Sequence, residues 1–370
     1  MKTRAAVVYE AGKPIEVEEL DLEGPREGEV LIKYTHAGLC HSDIHVAHGD
    51  LEARLPMVLG HEGAGIIEDV GPGVTRVKPG DHVVCSFIPN CGVCHWCATG
   101  QQAICDMGAN ILEGSLPGEH FVFKGRQGDY GAMCMLGTFS ERATIHQTSV
   151  IKVDDDLPLD KAVLVGCGVP TGWGSAVYAA DVRPGETVLI YGVGGIGINA
   201  VQGARYAGAK YVVAVDPLEN KREKAMELGA THAVGSAEEA FELTQQLTRG
   251  VGAEKAILTV GLMDAETVGN AFMATSKGGV VVLTGLNKIE APTVQLPGTI
   301  MTLYKKTVKG TLFGDCNPTT DIPKLLGLYQ SGDLELDEII TRTYTLDEIK
   351  QGYEDLLNGK NVRGVLVHAS

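Results

Sequence analysis

Over roughly the first 165 residues, apolar positions come in short runs broken by glycine and proline. Residues 29–35 and 65–70 are two such runs, and the punctuation around them predicts short strands. Gly71-Pro72-Gly73 and Lys78-Pro79-Gly80-Asp81 read as turns. Residues 110–137 are glycine-rich and weakly periodic, long for a plain loop, so they are either functional or partly folded. Past Arg183-Pro184-Gly185 the pattern changes. Apolar strand patterns at 187–191, 211–215, 255–260 and 280–284 alternate with helical periodicity at 196–206, 218–228 and 237–248. That alternation predicts an α/β domain with a doubly wound parallel sheet. Beyond Thr311 the pattern predicts one good helix, near 321–330, and a closing strand at 363–368.

Composition narrows the class. A chain of 370 residues has room for two domains. Glycine, at 48 residues, is nearly twice its usual share of ~7%, which implies many tight turns and close backbone approaches. The net charge of −16, with no basic run, excludes a nucleic-acid partner. Met1-Lys2-Thr3-Arg4 leads straight into a strand-like segment without the apolar core of a signal peptide. No run of about 18 apolar residues predicts a membrane span. A soluble, cytoplasmic protein is therefore expected. In such a chain clustered cysteines read first as metal ligands.

Cys91, Cys94, Cys97 and Cys105 lie within one short loop. Four thiolates can surround one tetrahedral Zn²⁺ and leave no position open, which makes such a zinc structural. A disulfide pair, redox thiols or an iron–sulfur cluster are the alternatives. Further along, Gly192-Val193-Gly194-Gly195-Ile196-Gly197 follows a predicted strand and opens a predicted helix. Those glycines let the backbone turn sharply and approach a pyrophosphate seated on the helix N-terminus. Asp216, 19 residues past Gly197, ends the next strand, where a carboxylate bonds ribose hydroxyls and repels a 2′-phosphate. NAD is thus favoured over NADP, and Lys221 is placed to reach the adenosine ribose. Three more segments carry ligand types: Cys40, His61 and Cys167 would make a catalytic zinc site with one open position. From spacing alone the site is only suggested, and any one of these residues taken singly reads first as a core cysteine or a satisfied histidine.

The segments Gly38-Leu39-Cys40-His41-Ser42-Asp43-Ile44-His45, Gly60-His61-Glu62-Gly63-Ala64-Gly65 and Gly166-Cys167-Gly168-Val169-Pro170-Thr171-Gly172-Trp173-Gly174 flank the four-cysteine loop and precede the dinucleotide turn. In that order they resemble the zinc-dependent medium-chain alcohol dehydrogenases, and the resemblance covers essentially the whole chain. It implies a chaperonin-10-like, β-rich catalytic domain at 1–168 and 311–370. It also implies a Rossmann domain at 169–310, with the active site in the cleft between the two. Residues 110–137, 165–181 and Leu312-Phe313-Gly314-Asp315-Cys316-Asn317-Pro318 resemble one branch, the actinobacterial nitroso-dye-dependent enzymes. That branch is linked to tightly held nicotinamide, reoxidised in place by an external acceptor of the mycofactocin kind.

The resemblance implies roles residue by residue. Two zincs are expected per chain, with NAD as hydride carrier and a small alcohol or aldehyde as substrate, primary alcohols first. Ser42 would accept the alcohol proton and pass it through the cofactor ribose to His45. Asp43 would hydrogen-bond the His61 ring, and Glu62 would tune the metal or briefly replace water on it. His41 stands where relatives often carry arginine against the pyrophosphate, and Arg363 matches a second pyrophosphate contact. Thr171, Ile196, Gly285 and Leu286 match contacts to the nicotinamide. Phe87, Leu51, Leu116 and Trp173 are candidates for an apolar pocket, and Cys85, Cys134 and Cys316 for buried structural thiols. A homodimer or homotetramer is expected, with 280–285 and 297–307 as candidate interface. The rivals are a zinc-free reductase of the same fold, a formaldehyde dehydrogenase acting on a thiol adduct anchored by Lys124 and Arg126, and a non-catalytic NAD-binding protein.

Overall fold

In the N-terminal region the short apolar runs pair into two sheets. Lys2–Val8, Glu16–Leu22, Phe123–Gly125, Gly128–Ala132 and Met57–Val58 close a barrel. A second sheet runs Val150–Lys152, His82–Cys85, Gly63–Val70, Glu29–Gly38, Arg363–Val367, Ile340–Tyr344, with Arg142–His146 also paired to Glu29–Gly38. Val7, Leu20, Ile32, Tyr34, Val58, Phe123 and Tyr130 share one buried core between them. The structure, a computed structural model, describes residues 1–286 and 294–369.

The glycine-rich stretch at 110–137 is folded. Phe123–Gly125 and Gly128–Ala132 form a tight hairpin that closes the barrel against Glu16–Leu22 and Met57–Val58. Its approach is pinned by buried His120, whose Nδ1 lies 2.8 Å from Glu29 and whose Nε2 lies 3.0 Å from Glu23. Strands this short carry too little periodicity to show in a sequence.

The second half forms one all-parallel sheet. Its order is His232–Val234, Tyr211–Val215, Thr187–Tyr191, Ala253–Leu258, Thr275–Leu283, Thr307–Gly310. Central parallel strands are covered on both faces, which is why Thr187–Tyr191 is buried throughout and reads as a continuous apolar run. Thr275–Leu283 starts five residues before the predicted strand. A register shift against Ala253–Leu258 absorbs the polar stretch Ser276-Lys277-Gly278-Gly279, which hid that start. Pro318–Ser331 likewise begins earlier than its apolar pattern, because Asn317 caps it and proline is tolerated at its first position.

Contacts divide the chain into two units, Met1–Cys167 with Asn317–Ser370, and Gly168–Cys316. Residues 311–316, expected with the catalytic domain, group instead with the nucleotide unit. Gly314 packs directly on Gly174, and the Cys316 thiol donates to the Pro170 carbonyl at 3.4 Å. Among the described residues no single helix is long and apolar enough to cross a membrane.

Candidate metal and cofactor sites

The four-cysteine loop is already a cage. The Sγ atoms of Cys91, Cys94, Cys97 and Cys105 all lie within 4.8 Å of one another. Cys91 to Cys97 and Cys94 to Cys105 are each 3.9 Å apart. A zinc about 2.3 Å from each sulfur sets tetrahedral sulfurs about 3.8 Å apart, so the cage fits that ion. All four are free cysteines, and 3.9 Å is far beyond a sulfur–sulfur bond, which argues against disulfides. A cluster of several irons needs a wider cage. Backbone N–H groups point at the sulfurs, among them Cys94 N to Cys91 Sγ at 3.2 Å and Cys91 N to Cys105 Sγ at 3.4 Å. The N–H groups of Cys97 and Asp106 draw Cys94 down to about 6, while burial pushes Cys105 up to about 12. A bound cation would hold all four as thiolates, since zinc takes cysteine in its deprotonated form. Arg76 supplies a nearby positive charge while donating to the Asn90 carbonyl at 2.6 Å.

A second, buried donor set joins Cys40, His61, Glu62 and Cys167, with ligand atoms within 4.8 Å of one another. Three separate elements deliver them. Cys40 precedes the helix His41–His48, His61 and Glu62 precede the strand Gly63–Val70, and Cys167 ends the first unit's N-terminal segment. Asp43 holds this corner together. Its Oδ1 accepts from His61 Nδ1 at 2.9 Å, which turns Nε2 of that ring toward the sulfurs, and its Oδ2 accepts from the Cys40 N–H at 3.1 Å. Phe87 packs edge-on against the same ring at 5.8 Å. The thiol of Cys167 donates to Cys40, which holds Cys40 well below the usual thiol range and pushes Cys167 well above it. Burial opposes charge on His61, but Asp43 and Cys40 outweigh it and raise its pKa. A divalent cation removes the proton sharing and suits two sulfurs and one imidazole.

Glu62 is fully buried and ion-paired to Nη2 of Arg363, itself only 4% exposed. Burial raises the Glu62 pKa while Arg363 opposes it. The other carboxylate oxygen, Oε1, is buried with no hydrogen-bond partner among the described residues. The Glu62 carboxylate belongs to the same donor set, so the fourth position has a candidate occupant already. The pair exists because residue 38 is glycine: a Cβ there would meet Glu62 Oε2 at 2.1 Å and Arg363 Nη2 at 3.0 Å. Arg363, read from the sequence as a pyrophosphate contact, therefore spends at least one arm on Glu62.

Ser42 Oγ lies 3.7 Å from Cys40 Sγ. Ser42 and His45 are three apart on the helix His41–His48 and so share a face, with His41 at its first position. His45 is buried rather than facing solvent, and its Nδ1 lies 3.1 Å from Asp50 Oδ2.

In the second unit, Gly192 leaves Thr187–Tyr191 with φ 82° and the chain enters the helix Gly197–Tyr206. A Cβ on Gly197 would strike the Gly192 carbonyl at 1.9 Å, so the turn closes only around glycine. Among the described residues, a Cβ built on Gly194 would meet only Lys221 Nζ, at 3.8 Å. This is a cradle with room for a phosphate and a cation beside it. Asp216 is buried and accepts from Val193 N–H and Leu218 N–H at 3.0 Å each, so it also braces the turn. Gly172 packs against the Ile196 carbonyl and Asn199, which seats Thr171 beside the Gly195-Ile196 corner. Gly285 packs on the Val260 carbonyl, and Leu286 bridges to Leu262 and is partly exposed.

Several pocket expectations need correction. Leu116 is a fully buried member of the barrel core. Trp173 is buried and packs edge-on against Tyr178 and at a tilt against Tyr206 inside the nucleotide unit. Lys124 is ion-paired to Glu23, and Arg126 to Glu16 at 2.8 Å, so neither is a free anchor for an acidic thiol adduct. Cys85 and Cys134 are buried thiols, pushed by burial up to about 12 and about 11. Asp50 was missed altogether. The only signal was a carboxylate just after Gly49, and it gains meaning only once the turn is known.

A family model described as Alcohol dehydrogenase GroES-like domain matches residues 26–155, and one described as Zinc-binding dehydrogenase matches residues 195–331. The chain is 64% identical to the NDMA-dependent alcohol dehydrogenase of Amycolatopsis methanolica, over the full length of both. Among solved structures, an alcohol dehydrogenase zinc-binding domain protein from Burkholderia ambifaria superposes with a TM-score of 0.93 at 31% identity. The benzyl alcohol dehydrogenase of Acinetobacter calcoaceticus does so with 0.91 at 30%. Both cover all of this chain and of their own. With a GroES-like unit, a Rossmann unit and the donor sets above, the chain belongs to the zinc-dependent medium-chain alcohol dehydrogenases, oxidoreductases acting on CH–OH groups.

Proposed function

We propose that this enzyme oxidises primary alcohols, aliphatic or aromatic, with NAD as hydride acceptor and two zinc ions per chain. The observation that carries the reading is the pairing of two unlike donor sets in one unit: a closed cage of four sulfurs and a set of two sulfurs and an imidazole. When bound, zinc supplies a Lewis acid for the alcohol oxygen and the nicotinamide takes up hydride. The chain's own residues do the rest. Cys40, His61 and Cys167 hold the metal, Asp43 fixes the His61 ring, and Arg363 keeps Glu62 charged but restrained. Ser42 takes the alcohol proton and His45 passes it on. Gly192, Gly194, Gly195 and Gly197 cradle the pyrophosphate. Asp216 accepts from the ribose, Lys221 and His41 offer positive charge, and Thr171, Ile196, Gly285 and Leu286 line the nicotinamide.

The cofactor is held tightly and reoxidised in place by an external acceptor. Support comes from the Amycolatopsis relative, which is NDMA-dependent by name. The protein works as a homodimer or homotetramer. Thr307–Gly310 is an edge strand, and Leu303 beside it is 74% exposed, a surface that a second copy would cover. A cytoplasmic location belongs with this reading, since nine free cysteines suit a reducing compartment.

The test is turnover of an alcohol panel, run once with free NAD and once with a nitroso acceptor, alongside metal analysis. Two zincs per chain, nicotinamide that copurifies, and turnover with the acceptor are expected. Rapid turnover with free NAD alone removes the tight-cofactor part. No turnover of any alcohol by zinc-replete protein removes the catalytic assignment.

A further inference from the structure

A Cβ on Gly352 would meet Leu39 Cδ1 at 2.7 Å, so the helix Ile349–Leu357 lies directly on Leu39, the residue before Cys40. Tyr353, the next residue along, packs edge-on against the ring of Phe139, with centroids 6.2 Å apart. Phe139 in turn sits over Gly60, the residue before His61, where a Cβ would meet Phe139 Cδ1 at 2.7 Å. Leu39, Phe139 and Tyr353 share one buried core. Tyr353 is thus bracketed by the neighbours of two ligands, and Asp43 is the group that ties those two ligands together. The tyrosine is 6% exposed, and its hydroxyl has no hydrogen-bond partner among the described residues. Burial holds that hydroxyl well above the usual phenol range, and the Asp43 carboxylate adds to this by its charge and by its pull on the phenolic hydrogen. The two groups are therefore close without a formed bond.

We infer that Tyr353 is a positioning residue for the open metal set: its hydroxyl is the third donor for Asp43, closing on the carboxylate when His61 takes a metal. The inference rests on the reading of Cys40, His61 and Cys167 as zinc ligands. Asp43 is fully buried and accepts from His61 at 2.9 Å and from the Cys40 N–H at 3.1 Å. A carboxylate has about four lone-pair sites, so room remains for another donor. A ring that ligates through Nε2 keeps its Nδ1–H on the carboxylate, so whatever fixes the carboxylate fixes the ring. Both donors already on Asp43 belong to the ligands themselves. Tyr353 stands on a separate helix, which is anchored where buried Asp355 accepts from Arg342 at 2.7 Å and from Tyr344 at 3.0 Å. Its hydroxyl therefore ties Asp43 to the body of the unit rather than to the ligands. If the hydroxyl had no such partner, exchanging it for hydrogen would be neutral or stabilising. The two readings give opposite outcomes for Tyr353→Phe, which keeps the ring and removes only the oxygen.

The experiment compares full-length wild type with Tyr353→Phe, Asp43→Ala and the double variant. Zinc affinity at the open set is measured by chelator competition, and absorption is recorded after cobalt(II) replaces zinc there. Tyr353→Phe is expected to weaken zinc binding at the open set about tenfold and to shift its cobalt(II) bands, while the four-cysteine cage keeps its zinc. In the Asp43→Ala background the same change is expected to alter affinity by roughly twofold at most, since the acceptor is already gone. Unchanged affinity and unchanged cobalt(II) bands in Tyr353→Phe, with an equal or higher melting point, overturn the inference. So does a tenfold loss that persists in the Asp43→Ala background, because Tyr353 then does not act through Asp43. The comparison of wild type with Tyr353→Phe decides the matter alone if Asp43→Ala fails to fold. A wild type that binds zinc only in the cage defeats the ligand reading itself, and the role of Tyr353 with it.

Discussion

Arg363→Met isolates the buried ion pair beside the open metal site. Glu62 is fully buried and Arg363 is 4% exposed, so neither charge is shared with water. Only one arm of the guanidinium reaches Glu62, and Oε1 of the carboxylate already lacks a partner among the described residues. Removing the cation leaves an uncompensated carboxylate next to two cysteine sulfurs. Breaking one side of such a pair costs about 3–5 kcal/mol, because the remaining charge keeps its desolvation penalty. For a unit of this size each kcal/mol moves the melting point by about 2–4 °C, which gives a drop of roughly 6–20 °C. Glu62→Gln combined with Arg363→Met removes both charges, and it is expected to regain most of the loss. The assay is thermal and urea unfolding of wild type, both single variants and the double variant at one zinc concentration. The coupling is read from the completed cycle. If Arg363→Met melts within 2 °C (about 1 kcal/mol) of wild type, the pair contributes no net stability. A double variant no more stable than Arg363→Met would falsify the claim that an unpaired buried charge is what hurts.

Other consequences can be checked separately. Cys94→Ser opens the closed cage, and is expected to lose one zinc and lower the melting point before any effect on chemistry, whereas Cys167→Ser is expected to lose activity with the fold intact; a folded, zinc-depleted, fully active Cys167→Ser protein reverses that division. Gly38→Ala puts a Cβ 2.1 Å from Glu62 Oε2, so it is expected to break the Glu62–Arg363 pair and mimic Arg363→Met in unfolding experiments; normal melting behaviour would show that the backbone yields instead. His368 lies buried, with Nε2–H donating to the Thr138 carbonyl at 3.0 Å and Nδ1 without a partner among the described residues. Burial lowers it to about 4, so the unfolded chain binds a proton that the folded one refuses between pH 6.5 and 4. Stability is therefore lost as the pH falls through that window, by about 3 kcal/mol, and the stability difference between His368→Gln and wild type is expected to shift by that amount from pH 7 to pH 4; parallel curves for the two proteins would refute it.

What could be read from the chain divides by the range of the interaction. The four-cysteine cage, the Cys40–Asp43 corner and the glycine turn are each set within a few residues, so their spacing carries their geometry. The parallel sheet is legible for a similar reason, because strands covered on both faces must be apolar throughout. The barrel hairpin near 123–132 was hidden, since strands of three and five residues rich in glycine give no period. The Glu62–Arg363 pair was hidden more deeply. Its members are 301 positions apart, and the contact depends on the absence of a side chain at Gly38. Leu116 and Trp173 show the converse error, since an apolar side chain near a site in sequence is as easily core as pocket.

The same distinction explains why the two donor sets are expected to fail differently. The cage is closed by residues 91–105, so its metal ties one loop to itself, and losing the metal frees that loop first. The open set draws on Cys40, His61 and Cys167 from three parts of the unit, and its outer support reaches further, through Asp43 and through Glu62 to Arg363 on the last strand. Its geometry is thus held by the folded unit, the second sheet above all, rather than by the metal. Chelator treatment should accordingly remove activity while the second sheet still melts cooperatively, and hydrogen exchange in Gly63–Val70 and Arg363–Val367 should stay slow. Fast exchange in both strands after removal of only the catalytic zinc would show that the metal, and not the fold, holds that corner in place.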